Sequence, residues 1–552
     1  MSLELLSKNK RRTLRFGVML EKYDLYEWEV KCIEKLLSQG NAEFKLVILL
    51  RNHSDSRKPN FYNILFWNVY YSLVKRRSNA IGSNRNISFL FPKVSFVREN
   101  DINEIKKYHL DFIIYFGTRE ISGEIVNIPR LGVWSFHYGN GKHNYAIPFG
   151  FWEIYRNEKI TKVALCRLAL EPERSSVLSV LKEGFFRTIT DSYVRSLDSI
   201  YLEIAEWPAK VCHDIQNNDP SYFKSLHLKP FARIQKLPSN LETILFLFKL
   251  LINRFVKWYN YFLFYEKWNI GIVESPIHEF LKTGKKPPIK WLPSPLSYKF
   301  NADPFPIIMR KNIYILFEEY DYSIFKGYIS TIKIHKGSVS LPEKVWESPF
   351  HMSYPYLLKY KNDIYCIPET SQAQEVALYK ANSFPVGWVK ITTLIKKFGG
   401  IDSTIFQYNG KWWLLTTDIN DRPAFHRLMI WYADNLFGPW KAHSANPVKT
   451  DVRSARSAGT PFFYNGNLYR PAQDCSGNYG GRIIINKIVK LTPTEFEEKQ
   501  VVTIEPNRNS PYPHGIHTIS GAGDITILDG VRRVFTIKKP AILMHKLQRI
   551  FL

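Results

Sequence analysis

Asp303, Glu369, Asp402 and His517 are far apart in the chain, yet each opens or closes a short segment that resembles the others. Residues of these types can move protons. A carboxylate takes a proton from an attacking hydroxyl, and a protonated carboxyl or imidazolium gives one to a leaving group. The same groups accept hydrogen bonds from sugar hydroxyls, while Arg456, Arg470 and Gln473 supply donors. The two arginines can each grip a phosphate or uronate bidentately. Asp474, Tyr354 and Tyr479 complete the expected binding set. A second candidate acid/base is His137 in the N-terminal part, with His143 six residues on as an anion-binding candidate. Glu319-Tyr320-Asp321 is the nearest approach to a D-x-D metal motif and does not make one, so a metal-independent site is expected.

An internal repeat can bring these residues together. Five segments share a polar or small residue, a few hydrophobic residues, a turn and an aromatic-rich strand; they begin at Asn301, Ser353, Gly400, Ser457 and Gly515. Asp303, Tyr354, Asp402, Gly459 and His517 fall at corresponding places, spaced by about 50 to 58 residues, the length of one four-stranded blade. Asn409-Gly410 and Asn465-Gly466 sit between apolar runs as hairpin turns, and Lys361-Asn362-Asp363 fills the same place in the second unit. Five blades around an axis direct the openings of their first strands to one mouth. The expected architecture is therefore an all-β five-bladed β-propeller over residues 266–537.

The N-terminal part, residues 1–212, reads as α/β. Leu14–Leu20 (LRFGVML), Phe44–Leu50, Ile87–Phe91 and Asp111–Phe116 are apolar runs suited to buried strands. Trp28, Val30, Ile33, Leu36 and Leu37 recur near helical spacing and stop at Gly40. Strand, helix, strand in that rhythm implies a parallel, Rossmann-like sheet. Neither G-x-G-x-x-G after the first strand nor G-x-x-x-x-G-K-[ST] occurs, so the usual phosphate-cradling loops are absent.

Asp111 to Trp152 resembles the N-terminal catalytic domain of formyltransferases: a strand ending in aspartate and two hydrophobic residues, then P-x-x-G, then a strand carrying a histidine. The likeness covers roughly residues 13 to 210 and places His137 on that family's catalytic histidine. It departs at Ser135, where the family has Asn, and at Glu171 to Ser176, where the family's D-x-G aspartate is missing. The resemblance thus implies the fold, with formyltetrahydrofolate as its donor if the chemistry were retained.

The C-terminal part resembles two groups. NADPF and GIDSTIF are similar to the five-bladed glycosidases of family 43 type, which carry an Asp base in the first blade and a second Asp in the third. ADPF, SYPYL, IPETS, RSARSAG, RPAQDCSGNYG and GIHTIS resemble the N-terminal domain of plant glucosamine inositolphosphorylceramide transferases, roughly from Trp268 to Phe535. Family 43 hydrolases open the fourth blade with the acid of an E-G-P motif. Here that place reads Ser457-Ala458-Gly459, which counts against hydrolysis because a second carboxyl must protonate the leaving oxygen.

Composition narrows the partners. The chain has 552 residues, 76 Lys plus Arg against 50 Asp plus Glu, and a net charge of +26. Such a surface favours anions. The basic residues are dispersed and no nucleic-acid motif is present, so an anionic membrane or a sugar phosphate is expected before nucleic acid. Five widely spaced cysteines fit reduced thiols, and with no apolar leader in residues 1–12 the expected location is cytoplasmic, peripheral at the inner face of a membrane. Residues 213–265 form an apolar helical connector. Its Lys249, Asn253, Lys257 and Asn260 stripe suits an interfacial helix or a buried connector, and the buried connector is the expectation. Residues 538–552 read as a basic amphipathic tail.

The function expected from all of this is a transferase in surface-polysaccharide or glycolipid assembly. Its propeller would hold a sugar, sugar phosphate or lipid-linked glycan, with a nucleotide sugar as the fitting donor. The alternatives are N-formylation of an amino sugar, a non-catalytic glycan-binding protein and, least favoured, a glycoside hydrolase.

Overall fold

The computed structural model describes residues 13–51, 61–117, Ile121, 123–139, 144–171, 174–216, 233–282, 287–420 and 426–537. Two compact units divide the chain, Met1–Val256 and Lys257–Leu552.

The first unit is built on a seven-stranded sheet. Its order is Arg174–Arg187, Ile160–Glu171, Val133–Tyr138, Phe112–Tyr115, Leu14–Leu20, Ala42–Leu49 and Ser95–Arg98. The last five run parallel, and the first two are antiparallel additions at one edge. Leu14–Leu20 lies inside the parallel set and is almost wholly buried, as a continuous apolar run should be. In-register aromatics lock neighbouring strands: Phe16 stacks on Phe44 at 5.0 Å and on Phe112 at 5.5 Å, and Phe112 stacks on Trp134 at 4.0 Å.

One expected strand is absent. Ile87–Leu90 is a single helical turn, because the Asn86 side chain caps it by accepting from Ser88 N at 3.0 Å. Phe89 is 87% exposed, which a buried strand would not allow. The edge strand is Ser95–Arg98 instead.

The expectation of a buried connector is also overturned. The apolar segment forms one helix, Asn240–Leu263, in which only Thr243, Phe246 and Leu250 are buried. The first half of its polar stripe turns inward, while Lys257 stays exposed: Lys249 Nζ donates to Tyr155 O, and Asn253 Nδ2 donates to Thr190 O at 3.1 Å. The apolar face is left outside.

The second unit is a ring of five antiparallel sheets. Blades one to four start at Lys299, Ser353, Gly400 and Phe462. Blade five is assembled from both ends of the unit. Phe264–Val273 pairs with Ile525–Phe535 over ten residues, so the ring is closed by hydrogen bonds between its two ends. Asn409 and Gly410, and Asn465 and Gly466, all take positive φ, as two-residue hairpin turns require.

The innermost strands share one irregularity. Register slips between Ala302 and Phe305, Ser353 and Tyr356, and Ile401 and Thr404. Inside those slips Asp303, Tyr354 and Asp402 take φ of 51°, 45° and 50°. A left-handed non-glycine residue costs about 1–2 kcal/mol, so three at equivalent places mark a backbone held by its surroundings. Each bulge re-aims one side chain. Gly459 holds the fourth such position at φ 121°, where an added Cβ would lie 1.9 Å from Ile519 O. Gly459→Ala is expected to lower stability by about 3 kcal/mol through combined strain and clash, read as a shift of the denaturant midpoint at unchanged m-value.

Candidate functional site

Asp303 and Asp402 head the innermost strands of blades one and three, Glu369 ends the second strand of blade two, and His517 precedes the first strand of blade five. Each is buried. Hydrogen bonds and ion pairs link them into one cluster. Arg456 Nε donates to Asp402 Oδ2 and its Nη2 donates to Oδ1 at 3.1 Å, a bidentate grip. Gln473 Nε2 donates to Asp402 Oδ2 at 2.7 Å and to Ser457 O at 2.8 Å. Asp402 N donates to Glu369 Oε2 at 3.3 Å, so the bulge of blade three is held by the acid of blade two.

His517 anchors the other side. Its Nε2 lies 3.5 Å from Asp303 Oδ1 and its Nδ1 lies 2.6 Å from Asp529 Oδ2. Asp529 also accepts from Asp303 N at 3.1 Å and from the backbone N of His517 and Thr518 at 3.0 Å each. Thr518 Oγ1 donates to Asp303 Oδ1 at 2.7 Å. Trp268 stacks on the imidazole at 4.0 Å, and the ring of Tyr479 meets it edge-on at 5.4 Å. Tyr479 accepts from Arg456 Nη2 at 3.3 Å and lies under the guanidinium at 4.8 Å. It is half-buried, while the acids and His517 are buried.

Burial and crowding set the protonation states. Desolvation raises Asp303 to about 6, with the charges of Asp402 and Asp529 adding to it and His517 opposing. Glu369 is raised to about 8, again by burial first and then by Asp402. Glu318, in the same space, is raised well above its ordinary value by burial and four carboxylate neighbours. Burial works against the His517 imidazolium, but Asp529 and Asp303 outweigh it and raise the group to about 9. At neutral pH the cluster therefore holds a proton on Glu369, a largely ionised Asp303 and a cationic His517. Among the described residues, Asp303, His517 and Asp529 are the group whose ligand-type atoms lie within 4.8 Å of one another. A metal ion there would have to displace the His517 proton, because an imidazolium has no lone pair to offer.

Some expected residues do other work. Arg470 is not part of the cluster: it is wholly buried against Glu498, with Nε–Oε2 at 2.8 Å and Nη2–Oε1 at 2.7 Å, and staples the strands of blade four. Asp474 turns to its own blade, accepting from Ser476 N at 2.8 Å and Arg482 Nε at 2.7 Å. Tyr354 is a tie across three blades, its hydroxyl meeting Thr404 Oγ1 at 3.0 Å and accepting from Gly459 N at 2.8 Å. Sequence reasoning missed Asp529, Glu318 and Trp268. Asp529 carried a signal, a lone acid inside the strand Ile525–Phe535, but Asp-Gly there reads as a turn.

In the first unit His137 is buried near the C-terminal end of Val133–Tyr138, with Ser135 Oγ 2.9 Å from its Nε2. His143 and the C-terminal tail lie outside the described residues.

A five-bladed propeller with an acidic, histidine-containing mouth is the class that these observations define. Residues 293–513 match a sequence model described as glucosamine inositolphosphorylceramide transferase 1, N-terminal. The protein of that name from Oryza sativa subsp. japonica is 35% identical over 255 residues, 42% of this chain and 33% of its own. The Arabidopsis thaliana protein is 36% identical over 214 residues, 38% of this chain and 28% of its own. The chain thus spans a third or less of the length of these relatives. Among solved structures, Zg3597, a family 117 glycoside hydrolase of Zobellia galactanivorans, has 14% identity and a TM-score of 0.32, over 42% of this chain and 84% of that one. A thermostable family-43 glycoside hydrolase has 11% identity and a TM-score of 0.30, over 41% of this chain and 85% of its own. Scores this low lend no support to a shared activity.

Two outcomes follow from the packing. Arg470→Ala leaves Glu498 buried without its main partner and is expected to cost about 3–5 kcal/mol, most of it recovered in Arg470→Met/Glu498→Leu; chemical denaturation of the two variants measures this. Glu369 has an ordinary value of 4.5 and a folded value of about 8, so between them the native state keeps a proton that the unfolded chain has released. Stability therefore falls as pH rises through that window, and Glu369→Gln is expected to flatten the fall, as thermal melts between pH 5 and 8 would show.

Proposed function

We propose that the propeller is the sugar-handling part of a transferase acting in glycolipid or surface-polysaccharide assembly. The carrying observation is the convergence of Asp303, Glu369 and Asp402 with Arg456 and His517, drawn from separate blades into one cluster. An ionised Asp303 can accept the proton of an attacking hydroxyl, and a protonated Glu369 can donate one to a leaving oxygen. Tyr479 offers an aromatic face on which a sugar ring can rest. The relatives' names join glucosamine to a phosphoinositol lipid, and a sugar joined to a phosphodiester lipid is the ligand class favoured for this chain. The net charge of +26 suits such an anion.

The first unit is read as a formyltransferase-type fold. In its support are the parallel sheet and the position of His137 near the carboxyl end of its strand, where α/β sheets place their sites. Formyl transfer is not assigned to it, because Ser135 stands where the resemblance requires Asn.

Calorimetry with amino-sugar phosphates, followed by turnover assays with nucleotide-sugar donors, tests the propeller assignment. Binding is expected in the wild type, with at least a tenfold loss of turnover in Asp303→Asn and in Glu369→Gln. The pH–rate profile should rise through about 6 and fall through about 8 as Asp303 and Glu369 ionise. Glu369→Gln should abolish the alkaline limb. Unchanged turnover and profile in both variants would remove the assignment.

A further inference from the structure

The Asn240–Leu263 helix is inside out for a protein in water. Thr243, Phe246, Lys249, Leu250 and Asn253 fall on one face, and that face packs on the first unit: Phe246 stacks on Phe151 at 4.3 Å, while Lys249 and Asn253 satisfy the carbonyls of Tyr155 and Thr190. The opposite face shows Ile244, Leu245, Phe248, Leu251 and Ile252 to solvent, with Phe248 60% and Leu251 62% exposed. A lone exposed leucine needs no explanation, but a continuous helical face does.

The neighbouring helix enlarges this face. Leu65–Arg77 exposes Phe66, Val69 and Leu73 at helical spacing. The two helices lie side by side. Asn240 accepts from Phe66 N at 3.0 Å and donates to Tyr62 O at 2.6 Å, and Tyr70 meets Phe246 edge-on at 5.9 Å. Farther along, Arg77 and Arg254 both act electrostatically on Tyr70. Arg76, Arg77 and Arg254 are exposed there and make no ion pair with any described residue. No helix among the described residues is long and apolar enough to cross a membrane.

We propose that this two-helix face is a membrane-docking surface that lies in the interface of an anionic bilayer without spanning it. Apolar side chains from both helices enter the acyl boundary, and the arginines meet acidic headgroups. The exposed arginines beside the patch, without carboxylate partners among the described residues, favour an anionic surface as its occupant. The surface is independent of the propeller's chemistry, so either assignment can fail without the other.

Vesicle flotation of the full chain tests the proposal, using phosphatidylcholine alone and phosphatidylcholine with 30% phosphatidylserine, at low and high salt. Binding is expected on the anionic vesicles and should weaken with salt. Leu245→Glu/Leu251→Glu, which changes only exposed positions, should abolish it while circular dichroism and propeller ligand binding stay unchanged. Arg76→Ala/Arg77→Ala/Arg254→Ala should lower the partition coefficient on the order of 100-fold, at about fivefold per arginine. Failure of the wild type to float, full retention of binding by the glutamate variant, or a dimer that this variant dissociates in the absence of lipid would each overturn the proposal.

Discussion

Five carboxyl groups, Asp303, Glu318, Glu369, Asp402 and Asp529, share one buried space with two cations, Arg456 and His517. Two like charges 4 Å apart repel by about 4 kcal/mol even at an effective dielectric of 20, so the acids cannot all ionise together. The cluster resolves this by specialisation. Asp402 is neutralised by the bidentate Arg456, Asp529 by His517, and Glu369 and Glu318 keep their protons. Asp303, raised to about 6, is largely ionised at neutral pH and lies close to the imidazolium. Groups poised in this way around neutral pH are what acid/base chemistry needs; burial raises the acids, and the neighbouring aspartates raise His517 against it.

The backbone supplies the other half of the arrangement. Each of the first three blades contributes a bulge that turns one side chain toward the axis, and the fourth replaces that side chain with Gly459. At Gly459 the strand packs against Ile519 and leaves no room for a side chain. Glu369, from blade two, is held against the backbone of Asp402 and is the candidate proton donor of the proposed reaction. Closure of the ring by Phe264–Val273 brings Trp268 onto His517 and so joins the start of the unit to its end.

Much of this was legible in the sequence, for identifiable reasons. The blade period could be read because two blades repeat an Asn-Gly turn, at positions 409 and 465, and the repeats place their leading residues at one register position. The parallel strands of the first unit could be read from apolar runs such as Leu14–Leu20. Where local chemistry competed with hydrophobicity, the outcome was hidden. The Asn86 cap made a helical turn of Ile87–Leu90, and Glu498, 28 residues away, claimed Arg470. The inward turn of Lys249 and Asn253 could not be seen either, since a polar stripe on an apolar helix normally faces water.

Diffraction from crystals soaked with an amino-sugar phosphate tests the central claim most directly, because it locates the ligand without assuming a reaction. The sugar ring should appear beside Tyr479, with its hydroxyls within hydrogen-bonding distance of Asp303 and Glu369. Density on the outer faces of the blades, or an unoccupied mouth beside ligand bound near His137, would contradict the account.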